Sequence, residues 1–259
     1  MRADIYLFEN GYAKSRQNAK VLIQNSGVKI DGFVITKPAY EVNDGDHSVE
    51  IINKSQFVSR GGEKLNAVLE AFSISVEGLF CIDIGASTGG FTDCLLKRGA
   101  TLVYAVDSGH GQLDANLTVD KRVVSIEKFN ARYMSCSDFP ILFDLAVMDV
   151  SFISQTFIHK SANDVLNNGA YFISLIKPQF ECGKNALNSH GLVKKSSDHL
   201  SAIIKVIDSA LICGFSCIDI IKSPIEGGSG NIEFLILMQK SDTPQNLISE
   251  QKIQKIIKT

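Results

Sequence analysis

The sequence predicts an α/β fold in which a seven-stranded sheet follows a small N-terminal α+β module. The first observation is the stretch 79–107, whose pattern predicts a buried strand, a glycine-rich turn, a helix and a second strand that ends in a carboxylate. The second is the alternation of short apolar runs with helical patterns through the rest of the chain, which is typical of a parallel sheet covered by helices. The third is a change of pattern near residue 52, before which the chain shows two short helices and a hairpin.

Composition sets the outer limits on the protein. The chain has 259 residues, of which 45% are hydrophobic and 21% charged, so it can bury the core of one large domain or of two unequal ones. The net charge of −2 carries no global signature of nucleic-acid binding, and any RNA contact must therefore come from a local basic patch.

Cysteine spacing and apolar runs exclude further classes. The six cysteines show no C-x-x-C pair, which argues against a metal site or a disulfide, and Cys81 and Cys94 fall in a predicted strand and helix as small core residues. The N-terminus has no apolar signal core, and no apolar run approaches the length of a membrane span. We therefore expect a cytoplasmic protein.

Residues 1–52 form the predicted N-terminal module. Ser15 is a good N-cap for its second helix, and Asp31-Gly32 joins two short strands, Val28–Ile30 and Phe33–Ile35, as a hairpin. Basic residues recur on these elements and could follow a phosphate backbone, although a solvated helix face would show the same charges. The basic residues in question are Lys14, Arg16, Lys20 and Lys37.

Several short motifs of this module resemble the S4 RNA-binding domain. They are Arg2-x-Asp4, Ser15-Arg16-x-x-Ala19, Gly27-Val28-x-x-Asp31-Gly32, Lys37-Pro38 and Val42-x-x-Gly45-Asp46. The resemblance implies RNA binding without naming a reaction. It also favours the basic face as the RNA contact surface, and the candidate RNA-binding residues are Arg2, Lys14, Arg16, Lys20 and Lys37. Residues 53–63 are polar, end near a glycine pair and are predicted to be a linker to a second domain, 64–259.

The glycine-rich turn predicts a cofactor site. Its spacing fits two patterns: G-x-G-x-x-G of nucleotide-cofactor dehydrogenases with the middle glycine replaced, and Asp-x-Gly-x-Ser-x-Gly of S-adenosylmethionine-dependent methyltransferases. The missing glycine and the acidic Asp83 favour the second, while a turn that holds no ligand remains the alternative. The candidate cofactor residues of the turn are Asp83, Gly85, Ala86, Ser87, Thr88, Gly89 and Gly90. Asp107, at the end of the next strand, is placed to bind the ribose hydroxyls of an adenosine, and Asn130 to read the adenine edge.

Charged residues stand where further strands end. Asp149 and Lys177 follow the fourth and fifth predicted strands, and ligands of open α/β sheets bind outside such carboxyl ends. Glu233 begins the seventh strand and would reach the same edge if that strand ran antiparallel. Lys64 begins the helix that precedes the turn. Each charge alone could be a solvated strand end, so their common placement carries the prediction.

These residues resemble the K-D-K-E tetrad of FtsJ-like RNA ribose 2′-O-methyltransferases, and longer motifs resemble the TlyA family. The motifs are Ser59-Arg60-Gly61-Gly62-x-Lys64-Leu65, Asp83-Ile84-Gly85-Ala86-Ser87-Thr88-Gly89-Gly90-Phe91, Gly111-Gln112-Leu113, Asp149-Val150-Ser151-Phe152-Ile153-Ser154, Lys177-Pro178-Gln179-Phe180-Glu181 and Gly230-Asn231-x-Glu233. The resemblance implies a Rossmann-like domain that uses S-adenosylmethionine to methylate cytidine 2′-hydroxyls in ribosomal RNA, with ribosomal RNA or ribosomal subunits as partners and no membrane. Members are often labelled hemolysins.

Because a ribose 2′-hydroxyl is a poor nucleophile, we hypothesise a role for each member of the tetrad. Lys177 would accept or stabilise the hydroxyl proton, Asp149 would orient Lys177, and Glu233 would hold Lys64. Two rivals stay open at this point, a non-catalytic RNA-binding or ribosome assembly factor and a pore-forming hemolysin. A base-directed amino methyltransferase is disfavoured because Asp149-Val-Ser-Phe lacks its Asn/Asp-Pro-Pro-aromatic motif. The same segment, from Ser151, is predicted to open a helix that continues to Leu166.

Overall fold

The computed structural model describes residues 1–13, 15–23, 27–43, 45, 47–52, 56–227 and 230–258. It divides the chain into two compact units, Met1–Gln56 and Phe57–Thr259. Each unit has its own hydrophobic core, and each is described by itself below.

The N-terminal unit packs two helices on a three-stranded antiparallel sheet. Its elements are α1 (Ala3–Glu9), α2 (Arg16–Val21), β1 (Val28–Ile30), β2 (Phe33–Ile35) and β3 (Val49–Ile51), with strand order β2-β1-β3. Ser15 caps α2 by accepting a hydrogen bond from Asn18 N, as predicted. Asp31 and Gly32 both have positive φ, which is the conformation a two-residue hairpin needs. The buried side chains include Leu7, Ala19 and Ile35.

The second unit is built on one seven-stranded sheet. Its strands are β4 (Phe80–Ile84), β5 (Leu102–Val106), β6 (Val123–Ile126), β7 (Phe143–Met148), β8 (Leu166–Ile176), β9 (Phe215–Lys222) and β10 (Phe234–Lys240). They lie in the order β6-β5-β4-β7-β8-β10-β9. Strands β4 to β8 pair in parallel, and β10 pairs antiparallel with both β8 and β9. The seven strands and the antiparallel last strand confirm the prediction.

Helices cover both faces of this sheet. They are α3 (Arg60–Ala71), α4 (Gly90–Lys97), α5 (Ala115–Thr118), α6 (His159–Asp164), α7 (Pro178–Glu181), α8 (Ser196–Ile212) and α9 (Glu250–Lys258). Successive residues of the central strands point into two different cores, since Cys81 and Leu145 pack with α3 and α4 while Ile82 and Ala146 pack with α6 and α8. Cys81 and Cys94 are buried, as predicted. Among the helices of the described residues, none combines the length and apolar character needed to cross a membrane.

Two element boundaries differ from the prediction. Helix α3 begins at Arg60, so residues 60–63 of the expected linker are helical; residues 53–55 of that linker lie outside the described ranges. The glycine pair misled the prediction because it serves close packing inside the helix, where a Cβ on Gly62 would clash with the side chain of Phe57.

The helix predicted from Ser151 to Leu166 is wrong. Residues 151–154 are irregular, a short 3₁₀ turn follows at Gln155–Phe157, α6 begins only at His159, and β8 already begins at Leu166. Ser154 is the N-cap of the 3₁₀ turn, and its hydroxyl accepts a hydrogen bond from Thr156 N. Phe152, at φ +63°, is in a left-handed conformation that a helix does not contain.

Candidate active site

The glycine-rich turn connects β4 to α4 at the carboxyl edge of the sheet. Gly85 has φ +83°, and a Cβ on it would lie 2.8 Å from the carbonyl oxygen of Asp149. Gly89 has φ +88° and is the N-cap of α4. Between them, Ser87 is also left-handed, with φ +49°. The turn therefore needs glycine at positions 85 and 89, and it brings bare backbone to the edge where the neighbouring strands end.

Two adjoining cavities open beside this turn. The larger, of about 380 Å³, is lined by residues that follow β4, β5, β6 and β7, among them Gly85, Asp107, Asn130 and Asp149. The smaller, of about 160 Å³, is lined by residues that include Asp83, Thr88, Gly90 and Lys177. Gly85, Ser87, Asp149 and Ser151 line both. All the predicted cofactor residues except Gly89 line this two-part pocket at the carboxyl ends of the strands.

Asp83 is a buried carboxylate with one oxygen left over. Its Oδ2 accepts hydrogen bonds from Thr92 N at 2.9 Å and Thr92 Oγ1 at 2.6 Å. Its Oδ1 has no hydrogen-bond partner among the described residues. Burial raises the pKa of this carboxyl to about 7, and the hydrogen bonds from Thr92 oppose the shift. A donor or a cation entering the smaller cavity would satisfy Oδ1.

Asp107 and Asn130 lie on the wall of the larger cavity. The carboxylate of Asp107 accepts from Ser87 N at 2.8 Å and from Gly109 N at 2.6 Å, and each oxygen keeps a lone pair for a ligand. Asn130 Oδ1 accepts from Arg132 N at 3.2 Å, which orients its amide. Gln112 closes the loop over the turn by accepting a hydrogen bond from Ser87 Oγ at 3.2 Å.

The four tetrad residues form two lysine–carboxylate pairs. Lys177 Nζ lies 2.6 Å from Asp149 Oδ1, and it donates a hydrogen bond of 2.7 Å to Ser151 Oγ. Lys64 Nζ lies 2.5 Å from Glu233 Oε2, and both of these side chains are almost fully buried. Asp149 and Lys177 line the cavities, whereas neither Lys64 nor Glu233 lines either one. The sequence had placed all four side by side at the cofactor.

Three residues that contact the predicted site residues or support them were not among the predicted ones: Thr92, Ser151 and Glu181. Thr92 satisfies Asp83 from the first turn of α4, nine residues away, and only the tertiary structure shows it. Ser151 stands two residues after Asp149, so its place in that motif was a usable signal. Glu181 is buried behind Lys177 and receives hydrogen bonds from Ser154 and from Gln155 N.

The N-terminal unit places the expected RNA-binding residues unequally. Asp4 is fully buried, with Arg2 Nε at 3.0 Å from Oδ1 and Arg16 at 3.6 Å from Oδ2, so both arginines also serve a structural ion pair. The hydrogen bond from Arg2 lowers the pKa of Asp4 below its ordinary value. Lys37 is exposed and Lys20 half-buried. Lys14 lies outside the described residues.

The fold and the pocket define the class of the second unit, a methyltransferase of the FtsJ-like type. Residues 57–240 match the FtsJ-like methyltransferase family, and residues 1–48 match the S4 domain. A Listeria monocytogenes protein named as a candidate S-adenosylmethionine-dependent methyltransferase, 14% identical, shares the fold with a TM-score of 0.53 over 71% of this chain and 100% of that one.

Relatives narrow the class to one family. Hemolysin A of Brachyspira hyodysenteriae is 42% identical over 236 residues, 91% of this chain and 98% of that protein. The 16S/23S rRNA (cytidine-2′-O)-methyltransferase TlyA of Mycobacterium tuberculosis is 39% identical over 240 residues, 92% of this chain and 89% of that protein. A structure named as a candidate hemolysin from Streptococcus thermophilus, 40% identical, superposes with a TM-score of 0.81 over 100% of this chain and 94% of that one. The chain belongs to the TlyA family.

Proposed function

We propose that this protein transfers a methyl group from S-adenosylmethionine to the 2′-hydroxyl of a cytidine in ribosomal RNA. The observation that carries the proposal is the Lys177–Asp149 pair, which stands at the junction of the two cavities beside the glycine-rich turn. The M. tuberculosis relative is named for this activity, and its likeness extends over both units of the chain.

The pocket suits the methyl donor. The larger cavity offers Asp107 to two ribose hydroxyls and Asn130 to an adenine edge. The smaller cavity offers Asp83 Oδ1, a buried acceptor without a partner among the described residues, to the ammonium group of the methionine part. When bound, S-adenosylmethionine supplies an electrophilic methyl group on a sulfonium centre.

The chain's own residues would act on the attacking hydroxyl. In the transfer an O–C bond forms as the S–C bond breaks, and the hydroxyl loses its proton. As a neutral amine, Lys177 Nζ would accept the proton of the 2′-hydroxyl; as an ammonium, it would stabilise the charge that develops on the 2′-oxygen while the proton leaves to water. Asp149 Oδ1 and Ser151 Oγ, at 2.6 and 2.7 Å, hold Nζ in place. Much of the rate acceleration then comes from positioning. The buried Lys64–Glu233 pair would support the site from behind.

An aromatic side chain at the mouth of the pocket supports an RNA substrate. Phe152 is 91% exposed, lines the larger cavity and lies 5.2 Å from Phe180 between ring centroids. A large apolar side chain held outward in a left-handed conformation is costly, and such conformations cluster at functional sites. RNA-binding proteins commonly stack unpaired bases on exposed aromatic rings.

The experiment measures methyl transfer from labelled S-adenosylmethionine to naked ribosomal RNA, 30S subunits, 50S subunits and 70S ribosomes, with nuclease mapping of the ribose mark. We expect transfer to a cytidine 2′-hydroxyl. Lys177→Ala should abolish it while cofactor binding is retained, and the exposed Lys121→Ala is the matched control that should transfer normally.

Two other results would contradict the proposal. RNA binding without transfer, with cofactor binding intact, would favour a non-catalytic RNA-binding or assembly factor. Lysis of lipid vesicles by the pure protein, without transfer, would favour the activity for which the B. hyodysenteriae relative is named.

A further inference from the structure

Glu181 is a buried carboxylate that belongs to neither of the two lysine–carboxylate pairs described above. It is the last residue of α7, whose N-cap is Lys177. Its side chain is only 2% exposed. An ionised carboxylate in the interior is costly unless hydrogen bonds and a counter-charge compensate it, so the contacts of Glu181 show what its burial achieves.

The carboxylate of Glu181 binds the segment that follows Asp149. Its Oε1 accepts from Gln155 N at 2.9 Å, and its Oε2 accepts from Ser154 Oγ at 2.5 Å. Gln155 in turn is fixed to β8, because its Nε2 donates to Leu175 O at 3.3 Å and its Oε1 accepts from Ser174 Oγ. The segment 150–155 is thus attached to both the strand before Lys177 and the helix after it.

Lys205 of α8 supplies the counter-charge. Its Nζ lies 3.2 Å from Glu181 Oε2 and donates to Glu181 O at 3.0 Å and to Ser154 Oγ at 3.2 Å. One lysine therefore contacts both partners of the Glu181–Ser154 hydrogen bond. The three side chains form a single network, which is connected to Lys177 through α7. Lys205 itself lines neither of the two cofactor cavities.

We infer that Glu181 is a positioning residue for Lys177, and that with Lys205 it sets where Asp149 and Ser151 meet the Lys177 ammonium. A helix of one turn has little stability of its own, so the direction of α7 depends on its tertiary contacts. The left-handed Phe152 likewise persists only where its surroundings determine it. Glu181 provides both constraints at once, since it holds α7 on one side and the 150–155 segment on the other. This inference rests on the proposed function and assigns it a residue that touches neither cofactor nor RNA.

The test is a double-mutant cycle with Glu181→Gln and Lys205→Met. In the Glu181→Gln variant an amide nitrogen faces the Lys205 ammonium or Ser154, so we expect kcat to fall about tenfold to a hundredfold, as a misplacement near 1 Å would cause. Lys205→Met leaves the buried carboxylate without its cation, so it should lower kcat to a similar extent. In the double variant the amide can accept from Gln155 N and donate to Ser154 Oγ, so kcat should recover to within about threefold. Cofactor Kd and RNA KM should stay within about twofold throughout.

Controls separate positioning from general stability. All rates are measured well below the Tm of each variant. Asp219→Asn and Lys252→Met break another lysine–carboxylate pair, a more exposed one between β9 and α9, and they should leave kcat unchanged. The inference would be overturned if Glu181→Gln kept the wild-type kcat or if the double variant did not recover it. It would also be overturned if kcat fell in proportion to Tm in the Asp219–Lys252 variants as it did in the Glu181–Lys205 variants.

Amide hydrogen exchange at Gln155 gives a readout independent of turnover. Its N–H is bonded to Glu181 Oε1, so exchange should be slow in the wild type and clearly faster in Glu181→Ala, which removes the acceptor that a glutamine would keep. If the wild type transferred no methyl group, the proposed function would fail while this exchange difference still tested the network. Equal exchange in the two proteins would overturn the inference even if the wild type were active.

Discussion

Asp83 combines burial, a raised pKa and an oxygen without a partner among the described residues. Its pKa of about 7, against an ordinary 3.8, means that the folded protein binds this proton more tightly than the unfolded chain does. The free energy of unfolding contributed by this group therefore falls as pH rises from about 4 to about 7, which is opposite to the usual behaviour of a carboxylate. Without a ligand cation, the ionised form of Asp83 therefore lowers the free energy of unfolding.

We predict from this that S-adenosylmethionine binding weakens in acid. The ammonium of the cofactor needs ionised Asp83. As the pH is lowered from about 8 to about 6, the ionised fraction of Asp83 falls, so the apparent Kd for the cofactor should rise about tenfold. Calorimetry at several pH values measures the Kd, and buffers of different ionisation enthalpy report the proton released on binding. Asp83→Asn should bind more weakly at high pH and show no pH dependence. A Kd that stays constant in the wild type would remove Asp83 from the cofactor site.

Most of the candidate site residues could be predicted because each stands at a strand end. Strand ends can be recognised from apolar runs, and the fold then brings Gly85, Asp107 and Asp149 together whatever the loops do. The partners of these residues were not predictable. Thr92 reaches Asp83 from a helix, and Glu181 reaches Ser154 across 27 positions, contacts that leave no periodic trace in the sequence.

At the scale of elements, the turn between β4 and α4 is the most constrained part of the fold. The positive φ of Gly85 disfavours any side chain, and a Cβ there would also press on the Asp149 carbonyl and, at 3.0 Å, on Val150. Gly111 offers a matched comparison, because its φ is +66° but a Cβ on it would meet nothing within 4 Å. Both glycines have a positive φ that disfavours a side chain, but only at Gly85 would a Cβ also collide with neighbouring atoms.

We predict that Gly85→Ala lowers the free energy of unfolding by about 2–5 kcal/mol, the sum of backbone strain and overpacking. Gly111→Ala should cost only the strain, about 1–2 kcal/mol. Because Asp149 must move to make room, Gly85→Ala should also reduce methyl transfer more than its stability loss explains. Denaturant titrations and kcat at low temperature measure both effects. Equal costs at the two glycines would mean that the contact with Asp149 is unimportant.

Element boundaries were predictable where an apolar run lies between polar turns. Such runs predict strands over Val123–Ile126 and Phe143–Met148, and β6 and β7 have these bounds, although β6 is a partly buried edge strand. The helix predicted from Ser151 failed because its apolar residues occur at helical spacing while the backbone is held by Ser154, Gln155 and Glu181 instead. The periodicity of a short segment contains no information about hydrogen bonds to residues far away in the sequence.

At the scale of the whole molecule, the charge relevant to RNA must be local, since the net charge is −2. In the N-terminal unit the arginines share their charge with buried Asp4, whereas Lys37 is exposed. A lysine that meets a phosphate releases counterions and contributes to the salt dependence of binding.

We predict that Lys37→Gln weakens RNA binding and lowers the slope of log Kd against log salt by about 1, with Tm and cofactor Kd unchanged. Lys29→Gln is the matched control, because Lys29 lies 3.1 Å from Glu50 on the same small sheet and its charge is already neutralised. Filter binding over a salt series measures the slope. If both variants gave the wild-type slope, Lys37 would lie outside the RNA interface.

The distance along the chain between Lys64 and Glu233 has a consequence for biosynthesis. The two partners are 169 positions apart, so a ribosome that adds about 5–20 residues per second makes the lysine roughly ten to thirty seconds before its carboxylate. Glu233 also directly precedes β10, the strand that enters between β8 and β9 after both have been made. Until then a nascent chain carries a lysine without its counter-charge and an unpaired strand edge that invites wrong pairing. Each new molecule can form this buried ion pair only after the ribosome has passed Glu233.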